Sequence, residues 1–208
     1  MRKLFLLTTI FFFVGYNARA QFYVGPQAGM DIGNIYLGSL PVITENAYTY
    51  HKGLLVTFLP SNGKKPGLKM ALSSSSIAYD EVGPDYRISY VNKGFDFDLL
   101  SHLYVRFGKV RAFVDAGTGI SHYDNRSVPD QSQSELPAFS EFNIKKTYIF
   151  LTGGTGAMVE LGRLHLGASG AFSYGMGNVY KNIANFSSPY HIRVSVSMQV
   201  RLGKKDSD

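Results

Sequence analysis

Residues 192–202 alternate without a break. Ile192, Val194, Val196, Met198, Val200 and Leu202 fall on one side of an extended chain, and Arg193, Ser195, Ser197, Gln199 and Arg201 on the other. A period of two held over this length specifies a β-strand, because a helix would need apolar positions three and four apart. The length also fits the roughly 9–11 residues with which a tilted strand crosses a bilayer.

Seven earlier segments repeat the pattern less cleanly: 23–32, 53–59, 68–77, 95–107, 112–123, 147–161 and 164–175. In the fourth, Phe95, Phe97, Leu99, Leu103, Val105 and Phe107 oppose Asp96, Asp98, His102, Tyr104 and Arg106. Glycines thread the sixth and seventh, at Gly153, Gly154, Gly156, Gly167 and Gly170, where a barrel wall bends or another backbone comes close.

The connections predicted between these strands are 33–52, 60–67, 78–94, 108–111, 124–146, 162–163 and 176–190. Long and short alternate, beginning and ending with long. The short ones carry turn residues: Pro60-Ser61-Asn62-Gly63, Gly108-Lys109 and Gly162-Arg163. Eight strands joined in this rhythm predict an all-β, antiparallel, up-and-down transmembrane barrel. Such barrels keep short turns on the periplasmic side, with the termini, and long loops outside the cell.

Alternation alone does not say which face points inward. A soluble barrel of the lipocalin type, carrying an apolar ligand, would turn its apolar face inside. Lysine argues for the opposite orientation. A solvated strand face is rich in Lys and Glu, whereas here Lys52, Lys64, Lys65, Lys93, Lys109, Lys181, Lys204 and Lys205 are placed in connections or the tail. Lys145 and Lys146 fall at a loop edge, and only Lys69 enters a strand. The polar faces consist instead of Ser, Thr, Gly, Tyr, Asp, His and Arg. Asp96, Asp98, Arg106, Asp115, Glu160, His165, Arg193 and Arg201 fall on the inward side, and charges there persist only when paired. Arg–carboxylate pairs inside the barrel are therefore expected. Phe22, Tyr23, Phe95, Phe107, Tyr123, Tyr148, Tyr174 and Tyr190 lie near strand ends, either as interfacial girdles or simply as β-formers.

The first twenty residues stand apart. Arg2 and Lys3 precede the apolar run Leu4–Val14, and Ala18-Arg19-Ala20 supplies small residues for cleavage. The run is shorter than the roughly 20 residues of a membrane-spanning helix. The expected organisation is a signal peptide over 1–20, a barrel over 21–203 and a polar tail over 204–208. Without Arg2, Lys3 and Arg19 the 21 basic residues become 18, against 15 acidic ones, so the net charge falls from +6 to +3. That is too weak and too dispersed for nucleic acid. No cysteine is present, which excludes disulfides, thiolate metal sites, a Cys nucleophile and a lipoprotein anchor.

The chain resembles the outer-membrane β-barrel domain family that includes PorT-like proteins. The resemblance rests on Gln21-Phe22, the opening strand Tyr23-Val24-Gly25-Pro26-Gln27-Ala28-Gly29, the hairpin 103–117 and the closing strand 194–203. It implies a small barrel of the Gram-negative envelope, some relatives of which serve secretion across the outer membrane. Such barrels commonly end on an aromatic residue; this chain runs past Leu202-Gly203 into Lys204-Lys205-Asp206-Ser207-Asp208.

Some eight-stranded barrels modify lipids, and serine–histidine pairs would carry that chemistry. Ser101-His102, Ser121-His122 and His165 with Ser169 are the candidates. Four residues of strand separate the last two by about 13 Å, beyond hydrogen-bond reach. His51, His102, His122, His165 and His191 show no metal-ligand spacing, and Gly153-Gly154-Thr155-Gly156 lacks the Lys-Ser/Thr and helix of a phosphate loop. The sequence thus assigns no catalytic, cofactor or metal residue. It predicts a non-enzymatic outer-membrane barrel, structural or accessory to an envelope or secretion complex. Its partners would be outer-membrane lipid and other envelope or secretion-complex proteins, met through the long loops; the polar segment 124–144 reads first as a mobile solvated loop and second as a defined contact surface. A lipid-modifying acyl hydrolase or transferase, or a soluble periplasmic carrier, are the competing readings.

Overall fold

The computed structural model describes residues 20–37, 43–60, 66–82, 87–127, 146–177 and 187–202. The expected signal peptide, the tail and the centre of the loop 124–144 lie outside the described residues. Eight strands follow in order: β1 Ala20–Leu37, β2 Ile43–Pro60, β3 Gly67–Val82, β4 Arg87–Phe107, β5 Val110–Ser127, β6 Thr147–Leu161, β7 Leu164–Met176 and β8 Ser187–Leu202. Each pairs antiparallel with its sequence neighbour, and β8 closes on β1.

The register fixes the shape of the barrel. Following cross-strand partners from Phe22 leads through Phe58, Leu68, Ser101, Ala116, Gly153, Phe172 and Ile192 and returns to β1 at Ile32. One circuit therefore shifts the chain by ten residues (32 − 22). With about 3.3 Å per residue and about 4.8 Å between strands, a shift of ten over eight strands tilts them by about 40°. The same numbers place the Cα atoms about 8 Å from the axis, so side chains fill the interior.

Burial settles the orientation left open by alternation. On β8, Val196 is 63 % exposed and Arg193 7 %. Leu54, Phe97, Leu103, Val114, Leu151 and Phe172 are likewise exposed on the other strands, while Asp31, Ser73, Asp96, Asp115, Thr152 and His165 are buried. The apolar face is outside and the polar face inside, the reverse of a soluble ligand carrier. Ten residue steps from Ile192 to Leu202 cover about 33 Å of strand and, after the tilt, about 25 Å along the axis. That is the height of the apolar band of membrane barrels. An apolar belt running around the whole circumference suits lipid and not water.

Two tight turns require glycine. Gly108 (φ 60°) and Gly162 (φ 67°) adopt the left-handed conformation, which a residue with a Cβ reaches only at a cost. They close β4–β5 and β6–β7 in two residues each; 162–163 matches the expected connection, whereas the expected 108–111 shortens to 108–109, with Val110 and Arg111 already in β5.

The long connections differ from expectation. Residues 33–52 and 78–94 are mostly strand: β1 runs to Leu37 and β2 starts at Ile43, while β3 runs to Val82 and β4 starts at Arg87. Only 38–42 and 83–86 remain as connections. β5 likewise runs to Ser127 and β8 begins at Ser187. In these upper segments both faces are polar, so the hydrophobic period disappears while backbone pairing continues. Register shifts between Asn46 and Lys52 and between Lys93 and Gly94 interrupt what alternation is left. Lys52 and Lys93, expected in loops, sit on the outer face of strands at that height.

The aromatic residues divide. Phe22, Phe95 and Phe107 are exposed on the outer face, as a girdle requires, whereas Tyr23, Tyr123 and Tyr148 are buried inside the barrel.

Candidate functional site

The lumen holds the protein's concentration of buried charge, and one arginine organises its centre. The inward parity of β8 carries Arg193 into the barrel opposite Asp31 of β1 and Asp96 and Asp98 of β4. Its Nε donates to Asp31 Oδ1 (2.9 Å), its Nη2 to Asp96 Oδ2 (2.5 Å) and its Nη1 to Asp98 Oδ2 (3.2 Å). Nη2 also reaches Ser75 Oγ of β3 at 3.4 Å. A planar guanidinium with five donors can serve several carboxylates at once, which an ammonium cannot do in fixed directions. Tyr123 donates to Asp96 Oδ1 at 3.2 Å.

A second group sits nearer the termini. Lys69 Nζ donates to Asp115 Oδ2 (2.7 Å), and His102 Nδ1 contacts Asp115 Oδ1 (2.6 Å). Lys69 also lies over the Phe113 ring, 5.0 Å from its centroid. Lys69, the one lysine that the sequence placed in a strand, is thus an interior ion-pair partner.

The third group closes the mouth beside the termini. Arg111 is ion-paired with Glu160, and Arg106 Nη2 donates to Glu160 Oε2 at 3.1 Å. Arg111 stacks over Tyr104 and Tyr23, whose centroids lie 5.0 and 5.8 Å away, and Tyr23 meets the His165 ring at 4.3 Å. Charge is therefore unevenly distributed. The interior proper carries Asp31, Asp96, Asp98 and Asp115 against Arg193 and Lys69, while the mouth carries Arg106, Arg111 and Arg201 against Glu160.

All eight charged residues placed inside from the sequence do face inward, and the expected Arg–carboxylate pairs are formed. Arg106 alone among them extends into solvent, at the mouth. Sequence reasoning missed Asp31, His51 and Arg111. Asp31 lies in the first predicted strand, near its end, while His51 and Arg111 fall in the predicted connections 33–52 and 108–111.

The serine–histidine candidates come apart. Ser101 is exposed on the outer face while His102 points inward, and Ser121 is buried inside while His122 faces outward and contacts Thr147 Oγ1 at 2.8 Å. His165 and Ser169 share the inward face without an observed hydrogen bond. A different constellation does form. His51 Nε2 is 3.0 Å from Ser195 Oγ, and His51 Nδ1 is 3.1 Å from Asp31 Oδ1. This is the connectivity of a nucleophile, a base and an orienting acid. Yet Ser195, His51 and Asp31 are only 5 %, 3 % and 1 % exposed, and the same Asp31 oxygen serves Arg193. The His51 ring packs against Gly29, where a Cβ would lie 2.7 Å from His51 Cε1. The three residues tie β1, β2 and β8 together. Among the described residues no three His, Asp or Glu side chains converge in a way that could hold a metal ion.

Comparison with solved structures places this architecture. Pseudomonas aeruginosa outer membrane protein OprG superposes with a TM-score of 0.58 at 11 % identity, covering 90 % of this chain and 98 % of its own. Neisserial surface protein A superposes with a TM-score of 0.50 at 16 % identity, covering 88 % and 99 %. The chain has the fold of the small outer-membrane β-barrels. No protein-family model matches it, and comparison with curated proteins gives no match. At these identities the likeness concerns the course of the backbone and transfers no residue's role.

Proposed function

We propose that this protein is a non-enzymatic barrel of the Gram-negative outer membrane, a structural or accessory subunit of an envelope or secretion complex of the PorT-like kind. The observation that carries this reading is an apolar belt around a lumen occupied by paired charges. Such a lumen supplies a rigid wall, and its reactive groups are spent on holding strands together. In this reading the termini and the turns at Gly108 and Gly162 face the periplasm, and the strand ends beyond the apolar band project outside the cell. That projecting wall carries Tyr36, Tyr48 and Tyr50, the last 83 % exposed, and tyrosine is enriched at protein interfaces. The extended wall, together with 128–145, is the surface offered to a partner.

Purification of the tagged protein in gentle detergent at native expression levels, with particle mass and co-eluting chains determined, tests the proposal. Co-elution with other envelope proteins is expected. A homogeneous particle of one chain would contradict the accessory role. The Ser195–His51–Asp31 connectivity raises acyl transfer as a second reading, and labelling of Ser195 by a fluorophosphonate would favour it.

A further inference from the structure

The mouth beside the termini holds more positive charge than it neutralises. Arg106 of β4, Arg111 of β5 and Arg201 of β8 face it, and Glu160 of β6 is the one carboxylate at that level among the described residues. Cross-strand pairing sets Arg106 beside Arg111, Glu160 beside His165 and Tyr23 beside Arg201, and the Tyr23 ring meets both His165 and Arg111, which gathers the six side chains into one cluster. Within it Arg111 Nη1, Arg201 Nε and His165 Nε2 are buried and have no hydrogen-bond partner in the protein. Arg111 and His165 are each more than nine-tenths buried. Gln199, the cross-strand partner of His165, also leaves its Oε1 unpartnered.

Guanidinium donors left without an acceptor, as on Arg111 and Arg201, are costly in a partly dehydrated mouth. A water molecule can accept one of these hydrogen bonds, but it does not balance the excess charge. A tetrahedral oxyanion does both, and guanidinium groups suit phosphate geometry. The mouth is reachable, because the Arg106 side chain is 58 % exposed where that of Arg111 is 6 %. It also lies level with the end of the apolar band, since Phe107, Leu161 and Leu202 are exposed on the outer surface of the same strand ends. Lipid headgroups lie at that level.

We propose that the terminal mouth of the barrel binds a phosphate-class oxyanion, either free phosphate or a phospholipid headgroup, through Arg111, Arg201 and His165, with Arg106 at the entrance. The test uses the full chain in a phosphate-free glucoside detergent. It is titrated calorimetrically with sodium phosphate at constant ionic strength, with chloride as control. One saturable phosphate site is expected, weakened at least about tenfold in Arg111→Gln and in Arg201→Gln, as for a lost hydrogen bond to a charged group. Arg106→Gln alters only an exposed side chain, so it should fold normally by heat-modifiable gel mobility and still bind several-fold more weakly. Native mass spectrometry after reconstitution in phosphatidylglycerol–phosphatidylethanolamine vesicles identifies the source. A retained phospholipid assigns the headgroup, and phosphate binding without retained lipid assigns the free ion. Absence of saturable phosphate binding, or equal affinity in all three variants, would overturn the proposal. So would binding that appears only when Asp206 and Asp208 are changed to Asn, because the chain's own tail would then fill the mouth.

Discussion

Arg193→Met removes the one cation that serves Asp31, Asp96 and Asp98, and its consequence can be worked from the geometry. The guanidinium makes hydrogen bonds to three carboxylates on two other strands. Each hydrogen bond to a charged group contributes about 1.5–3 kcal/mol. The larger effect is the buried negative charge left behind, and losing one partner of a buried pair costs about 3–5 kcal/mol. Methionine matches the length of the stem, so packing changes little. The expected loss is therefore about 3–5 kcal/mol, measured by urea unfolding in lipid vesicles with gel mobility and circular dichroism as readouts. Adding Asp96→Asn and Asp31→Asn to Arg193→Met removes two of the three stranded charges and should restore more than half of the loss. Stability of Arg193→Met within about 0.5 kcal/mol of the parent, the range of ordinary surface changes, would refute this account of the lumen. An undiminished loss after the two Asn changes would refute its electrostatic part.

Other expectations follow from the same structure. Val196→Arg places a charge near the middle of the apolar band and should cost about 2–4 kcal/mol in bilayers, as on the lipid face of other barrels; a neutral result in the same unfolding assay would contradict the outward orientation. Gly29→Ala drives a Cβ into the Val194 carbonyl and to 2.9 Å from Ser195 Cα, so a destabilisation of about 1–3 kcal/mol is expected, and unchanged urea midpoints would refute the close approach. Ser195 should resist fluorophosphonate labelling in the folded protein, read by intact mass; a stoichiometric adduct would show that the enclosed constellation is open to reagents.

The strands were legible where one side of the chain meets lipid and the other meets the lumen. β8 shows this best: from Ile192 to Leu202 every outward residue is apolar and every inward one polar, so the period survives intact. The same strand begins at Ser187, and that start left no signal, because above the lipid band water contacts the outer face too. His51 shows what this loss costs. It sits in a stretch that reads Tyr-Thr-Tyr-His-Lys, polar on both sides and followed by a glycine, and so reads as loop. Its place in β2 beside Asp31 comes from the barrel pairing, which one strand's sequence does not encode. Arg111 was missed for a smaller reason: the two-residue turn at Gly108 ends earlier than the charge pattern suggests, which puts Arg111 inside the wall. The inward charges themselves were readable from parity, but their partners were not. Arg193 meets residues 95 to 162 positions away, and only the ten-residue shift around the barrel brings them level.

The orientation of the two faces is the claim on which the rest depends, and the absence of cysteine makes it directly measurable. Single cysteines at positions 194–199, spin-labelled in lipid vesicles, report collision with oxygen dissolved in the bilayer. The account predicts alternation, with Val194, Val196 and Met198 positions accessible to oxygen and Ser195, Ser197 and Gln199 positions shielded. The inverse alternation, or none, would contradict a membrane barrel with its apolar face outward.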